Sequence, residues 1–289
     1  MNPIYNSHID FEILISTQSQ TSLDFLVPMF KNQDYKDFYL LIVNQNPDSV
    51  DLISEYKNIR VFNSPKKGLA KSRNLAIKNA LGSVCLFADD DVVYEKDFRE
   101  KIMSSHRVNP NSDIITFKMK DFNGKDFRDY PKQKSYNKKS LATANSVVIS
   151  FKKEAIQNHV FFDTLFGLGA EFPTGDEYVF LRDALDKGKI ITFEPIVILN
   201  HPAFSSGQAV SKDCILFARA ALFYKFEGAL AYIKLLKHLL MLVYKQQLTV
   251  GKLAIKYKVG LKGIFRFKKL MLERLSLIHI SEPTRLRRI

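Results

Sequence analysis

Three consecutive carboxylates, Asp89, Asp90 and Asp91, follow directly on the apolar run Val84-Cys85-Leu86-Phe87-Ala88. Like charges this close repel and resist burial, so a strand that ends in them needs positive charge nearby. A divalent cation holding a phosphate is the most economical source, and a solvated acidic turn is the alternative. If the chain is extended, Asp89 and Asp91 point to one side, leaving Asp90 to cap the following turn. A second acidic centre, Asp176-Glu177, opens an amphipathic stretch. A helix N-terminus there favours the ionised acid and suits either an N-cap or a general base. Lys71 and Arg73 stand two apart on a predicted helix and do not share a face, so one can reach an anion while the other is solvated. His201 follows a late apolar run.

The segments that must position these groups alternate apolar runs with amphipathic stretches, which predicts an α/β domain. Strands are expected at 11–17, 38–44, 59–63, 84–88, 114–119, 146–150, 189–193 and 196–199. Helices are expected at 22–31, 69–81, 95–105 and 176–187. Gly68 opens the second helix, while Gly82 and Gly188 are read as helix stops. Phe166-Gly167-Leu168-Gly169-Ala170 reads as a Gly-rich loop, and helix dominates after Ser211. Open α/β sheets bind ligands along the C-terminal strand edge, where Asp89–Asp91 fall.

The chain has 289 residues, enough for one large domain with an appendage. Cys85 and Cys214 are its two cysteines, too few for a disulfide framework or a zinc site, and a reducing cytoplasm is expected. Residues 1–6 lack a basic stretch leading into an apolar core, so no signal peptide is expected. The net charge of +13 is concentrated at the C-terminal end. Between residues 225 and 275 twelve Lys/Arg face only Glu227 and Glu273, whereas the first 224 residues are close to neutral. With the larger part of the chain near neutral and no recognition motif in the sequence, nucleic-acid binding is not expected.

Taken in order, Ile15-Ser16-Thr17, Gly68-Leu69-Ala70-Lys71-Ser72-Arg73-Asn74 and Phe87-Ala88-Asp89-Asp90-Asp91 resemble a family 2 glycosyltransferase of the GT-A fold. Phe162-Asp163, Phe166-Gly167-Leu168-Gly169, Gly175-Asp176-Glu177-Tyr178 and His201-Pro202 with Ser205-Ser206-Gly207 extend the resemblance over residues 9–210. It implies a Rossmann-like mixed sheet flanked by helices, with a basic helical region after it. It also implies a metal-dependent inverting transfer of a sugar from a nucleoside diphosphate donor to a hydroxyl. The basic amphipathic C-terminal end points to an acceptor that is a glycan or lipid-linked molecule in bacterial surface-polysaccharide synthesis.

The resemblance implies that Ser16 and Thr17 lie near the nucleoside and that Arg73, or Lys71, reaches the diphosphate. Asp89 would contact ribose or metal-bound water, Asp91 would ligate Mn²⁺ or Mg²⁺, and His201 would contact metal or diphosphate. Asp90 belongs with the nucleotide-sugar contacts or caps the turn. Glu177 would be the catalytic base, beside Asp176. Relatives carry an acidic pair after the second strand. Here it is Asn44-Gln45, which can hydrogen-bond a pyrimidine, and a UDP-sugar is the expected donor.

The expected organisation is a catalytic domain over 1–224, a basic amphipathic helical region over 225–275, and a tail over 276–289. The tail resembles the run-on translation of a vector and is expected to take no ordered place. Lysines interrupt the apolar stretch 228–244, so it cannot span a bilayer. With 245–269 it is expected to lie on an anionic membrane, the alternative being a helical subdomain with a solvated basic face. The expected location is cytoplasmic, peripheral on the inner face of the plasma membrane. Two rival functions remain. A nucleotidyltransferase would carry a Gly-rich basic loop where this chain has Ser16-Thr17-Gln18-Ser19-Gln20, and a non-catalytic binding member would not need Asp89–Asp91, Asp176-Glu177 and His201 together.

Overall fold

The computed structural model describes residues 8–47, 50–138, 140–202 and 212–281. The chain divides into two compact units, one made of Met1–Ala170 and Asp176–Ser205, the other of Glu171–Gly175 and Ser206–Ile289.

The first unit is built on a mixed sheet. Among the described residues its strands are β1 (Phe11–Gln18), β2 (Tyr39–Gln45), β3 (Ile59–Ser64), β4 (Val84–Asp89), β5 (Val93–Tyr94), β6 (Ile114–Lys120), β7 (Ile149–Lys152) and β8 (Ile191–Asn200). They lie in the order β3-β2-β1-β4-β7-β6-β8-β5. β3, β2, β1 and β4 run parallel, which brings the ends of β1, β2 and β4 to one edge, with Ser16 opposite Asp89 and Thr17 opposite Asn44. β7 is antiparallel to both β4 and β6, and β8 returns parallel to β6.

Successive residues of a strand face opposite sides of a sheet, and two apolar layers follow. Ile13, Ile15, Leu40, Ile42, Leu86 and Ala88 meet α1 (Leu26–Met29) and α3 (Phe98–Val108) on one side. Leu14, Leu41, Val43, Cys85 and Phe87 meet α2 (Leu69–Asn79) and α5 (Asp176–Asp186) on the other. A short α4 (Lys153–Ile156) joins the second layer. The alternation continues to Asp89, two residues beyond Phe87, and so directs it toward the α2 and α5 side.

Several local expectations change. The helix expected over 22–31 is the single turn α1, which holds Pro28; a proline supplies no N–H and disfavours helix in the residue before it. α2 ends at Asn79, before Gly82, and α3 starts three residues later than predicted. The strand expected at 146–150 is a 3₁₀ turn followed by β7. The two late strands are one, β8, running through exposed Pro195. A register shift against β6 falls between its partners Phe193 and Val197, so no ladder bond depends on the missing Pro195 N–H.

The second unit contains α6 (Asp213–Glu227), α7 (Ala231–Tyr244) and α8 (Leu253–Ser281) around a core of Leu216, Ala220, Ala231, Leu235, Leu239, Leu242 and Ile264. Gly263 lets α8 press on α6, since a Cβ there would lie 2.1 Å from the Phe217 carbonyl oxygen. Arg266 donates to both oxygens of Glu171, at 2.7 and 3.1 Å. α8 continues through Ser281, past the expected boundary at Ser276; residues 282–289, like Ser205-Ser206-Gly207, lie outside the described residues. Among the described residues no helix is long and apolar enough to cross a membrane.

Candidate functional site

A cleft of about 280 Å³ opens at the C-terminal edge of β1, β2 and β4. Ser16, Thr17, Gln18 and Gln45 line one side of it, with Asp89, Asp90 and Asp91 at the end of β4. Lys67, Gly68 and Leu69 bring in the N-terminus of α2, and Leu168 and Gly169 complete the wall. A helix N-terminus and an exposed lysine facing three acids form a polarised cleft suited to an anion and its counter-ion.

The three aspartates have different partners. Asp89 is held at both oxygens by Nη2 of Arg73, at 2.8 and 3.1 Å. Asp90 accepts hydrogen bonds from the Thr17 hydroxyl and from Gln20 Nε2, the latter at 3.2 Å. Asp91 is half exposed, with its Oδ1 3.6 Å from His201 Nε2. Burial lifts the Asp91 carboxyl above its ordinary range, and His201 works against that rise.

Arg73 explains how β4 tolerates its acidic end. Its side chain is 1% exposed, lies over the Phe162 ring, and also donates from Nη1 to Asp176 Oδ2 at 2.7 Å. One buried guanidinium thus joins the end of β4 to the start of α5. Burial alone would depress its pKa; Asp89, then Asp176, outweigh that and hold it above the ordinary value. The positive charge demanded by Asp89 is supplied by Arg73. The side chain faces the interior and does not line the cleft, whereas Lys71 is exposed and also outside the lining.

Asn44 is fully buried. Its Nδ2 donates to the Gln20 carbonyl at 2.9 Å and to Asn63 Oδ1 at 3.1 Å, while its Oδ1 accepts the Gln20 amide at 3.1 Å. It braces the loop after β1 from below, and that loop carries Gln20 to Asp90. Gln45 is the member of the pair that lines the cleft, and its Oε1 accepts the Gly68 amide at 2.7 Å. Ser16 accepts a hydrogen bond from Ser72 of α2 at 2.9 Å. Lys67 and Gln18 were not singled out in the sequence; Lys67 stands just before the Gly68 turn, where composition gave no sign that it faces the acids.

The second acidic centre sits beside the first. Gly167, at φ +100°, leaves space for Asp176: a Cβ on it would lie 2.9 Å from Asp176 Cγ. Glu177 is half-buried, and burial followed by the neighbouring Asp176 charge pushes its pKa up to about 8. Asp176 is tied to Arg73, and the raised Glu177 is the acid placed to exchange a proton near pH 8.

His201 Nδ1 lies 2.8 Å from the Pro202 carbonyl, which can only accept, so Nδ1 carries the proton and Nε2 presents a lone pair toward Asp91. Two acceptors then face each other at 3.6 Å. A cation between them, or protonation of the ring, resolves that arrangement, and a carbonyl behind Nδ1 is the usual support of a metal-binding imidazole. Among the described residues no group of three or more His, Cys, Asp or Glu side chains is gathered to hold a metal. Two protein donors beside a cleft still fit an ion that takes its remaining ligands from phosphate and water.

A mixed sheet whose parallel half ends in a polarised cleft, with an acid pair at a neighbouring helix start, defines an α/β protein of GT-A-like fold. The chain belongs to the family described as Glycosyl transferase family 2, whose profile matches residues 14–185. It is similar to an uncharacterized glycosyltransferase of Rickettsia felis, 40% identical over 72 residues, which is 22% of this chain and 12% of that protein. A second uncharacterized glycosyltransferase, from Rickettsia conorii, is 39% identical over 72 residues, with the same shares. The matches thus span 12% of the length of these curated relatives. The crystal structure of S. aureus TarS 1-349 in complex with UDP-GlcNAc has the same fold, with a TM-score of 0.50 and 16% identity over 79% of this chain and 71% of that one.

Proposed function

We propose that the protein transfers a sugar from a nucleoside diphosphate donor to an acceptor hydroxyl with inversion at the anomeric carbon. The observation that carries this reading is the meeting, in one cleft of a family 2 chain, of Asp89–Asp91 with Lys67 and the N-terminus of α2. Ser16, Thr17, Gln18 and Gln45 face the nucleoside, with Gln45 taking the role first given to Asn44. Lys67 and the α2 N-terminus face the diphosphate. UDP is the nucleotide we favour, since UDP-GlcNAc is bound by TarS, which has the same fold.

Asp91 and His201 would hold a Mn²⁺ or Mg²⁺ ion, which when bound neutralises charge on the departing diphosphate; an imidazole in the donor set favours Mn²⁺. Glu177 takes the proton of the acceptor hydroxyl as its oxygen attacks the anomeric carbon. The bond from that carbon to the β-phosphate oxygen breaks, and the electron pair leaves with the nucleoside diphosphate. Asp176 and Arg73 hold Glu177 and the end of β4 in place. The acceptor is a glycan or lipid-linked molecule of bacterial surface-polysaccharide synthesis, met at the inner face of the plasma membrane. Screening a panel of sugar nucleotides with Mn²⁺ for donor hydrolysis tests the reading. Release of UDP from one of them, lost on chelation, is expected; turnover of a nucleoside triphosphate with release of pyrophosphate would instead establish the nucleotidyltransferase.

A further inference from the structure

α7 is apolar on two opposite faces. Ala231, Leu235, Leu239 and Leu242 are buried in the core of the second unit. Ile233, Leu236, Leu240, Met241 and Tyr244, spaced three, four, one and three residues apart along the other side, are 68, 41, 52, 41 and 88% exposed. A helix of 3.6 residues per turn gathers these five into one stripe. Lys237 is exposed within it, and Lys245 flanks its end. A soluble helix has polar residues on that side.

We infer that this outer face of α7 is a docking surface for an anionic bilayer, the helix lying in the plane of the headgroups. The inference rests on, and makes specific, the membrane-surface part of the proposed function. Charge selects the occupant. The region 225–275 carries twelve Lys/Arg and two acids, and the acids are already paired, Glu227 with Lys234 at 2.5 Å and Glu273 with Lys269 at 3.9 Å. The exposed side of α8 repeats the theme, with Lys258, Lys262 and Lys269 spaced between Ile255, Phe265 and Leu272. A second copy of the chain would bring the same positive field to the contact, whereas an anionic headgroup layer complements it. Lys237 can extend its ammonium to the headgroups while its stem stays with the apolar side chains, and Tyr244 suits the interfacial depth.

The chain contains no tryptophan, so Leu240→Trp places a single reporter in the stripe. With phosphatidylglycerol vesicles its emission should shift to the blue and be quenched by brominated acyl chains, and neither should occur with phosphatidylcholine vesicles. Co-sedimentation of the full chain with phosphatidylglycerol should fall about tenfold or more in Leu236→Glu/Leu240→Glu, with donor hydrolysis unchanged. If wild type and this variant sediment equally with those vesicles, membrane association stands and α7 is the wrong face. If the wild type fails to sediment with them, both ideas fall. A dimer that the variant converts to a monomer would reassign the stripe to self-association and overturn the inference.

Discussion

Replacing Arg73 with methionine isolates the interaction that lets β4 end in acid. Methionine fills much of the volume, so the change removes charge and hydrogen bonds more than packing. The wild-type guanidinium makes three hydrogen bonds to two carboxylates, at 2.7, 2.8 and 3.1 Å, from a position 1% exposed. Its loss strands Asp176, 5% exposed as a residue, while the side chain of Asp89 is 26% exposed and can recruit water. Removing one partner of a buried pair costs about 3–5 kcal/mol. The solvated side of the network argues for the lower end, about 3 kcal/mol. With a urea m-value of about 3 kcal/mol/M for a chain this long, the midpoint should drop by about 1 M. The difference from wild type should narrow from pH 8 to pH 5, because a buried carboxylate without its cation is better tolerated as the acid. Adding Asp89→Asn and Asp176→Asn should recover at least half of the loss while leaving the enzyme inactive. The measurement is urea unfolding followed by circular dichroism. An Arg73→Met midpoint indistinguishable from wild type, or a triple variant no more stable than the single one, would show that Arg73 does not offset these carboxylates.

Other consequences follow from the same geometry. Glu177→Gln should abolish transfer, and in the wild type kcat/KM should rise with pH along a limb near pH 8; Asp176→Asn should move that limb to lower pH by removing the like charge that raises it. Because the folded pKa of Glu177 lies above its unfolded value of 4.5, the stability it contributes is fully present below pH 4.5 and is lost as pH rises through about 8. Glu177→Gln should therefore match wild type in thermal melts at pH 5 and exceed it at pH 9, and the reverse order would contradict the assigned burial. Gly167→Ala adds a clash with Asp176 to an unfavourable φ and should cost about 2–3 kcal/mol together with activity, whereas Gly188→Ala, at φ +76° with open space around it, should cost about 1 kcal/mol and leave activity intact. Lys67→Ala should raise the donor KM about fivefold to tenfold without moving the melting temperature, since Lys67 is exposed and faces the cleft.

Much of this arrangement was legible in the chain. Seven of the eight residues of β1 are buried and Val84–Ala88 is fully enclosed, as expected of strands covered on both faces. The two-residue spacing of Lys71 and Arg73 did separate them, one outward and one inward. What spacing cannot reveal is which of the two turns inward, because that depends on how α2 lies on the sheet. Lys71 is the solvated member, the buried arginine binds protein carboxylates, and Lys67 is a cation that lines the cleft. Asn44 and Gln45 were read as a pair, but alternation along β2 sends them to opposite faces, and only Gln45 reaches the cleft. Pro28 shortened α1 and Pro195 left β8 whole, because a helix interior needs the missing N–H and a bulged strand does not. The acidic triplet resolves into three environments, set by residues 17, 20, 73 and 201, all of which lie outside the acidic segment itself.

On the proposed reading, the cleft binds a nucleoside diphosphate through a cation shared by Asp91 and His201. Calorimetric titration of UDP into the protein with Mn²⁺ and with chelator tests it most directly. Binding should need Mn²⁺ and be lost in Asp91→Asn and His201→Ala, with both variants folded as wild type. Equal UDP affinity with and without Mn²⁺, or undiminished affinity in both variants, would contradict it.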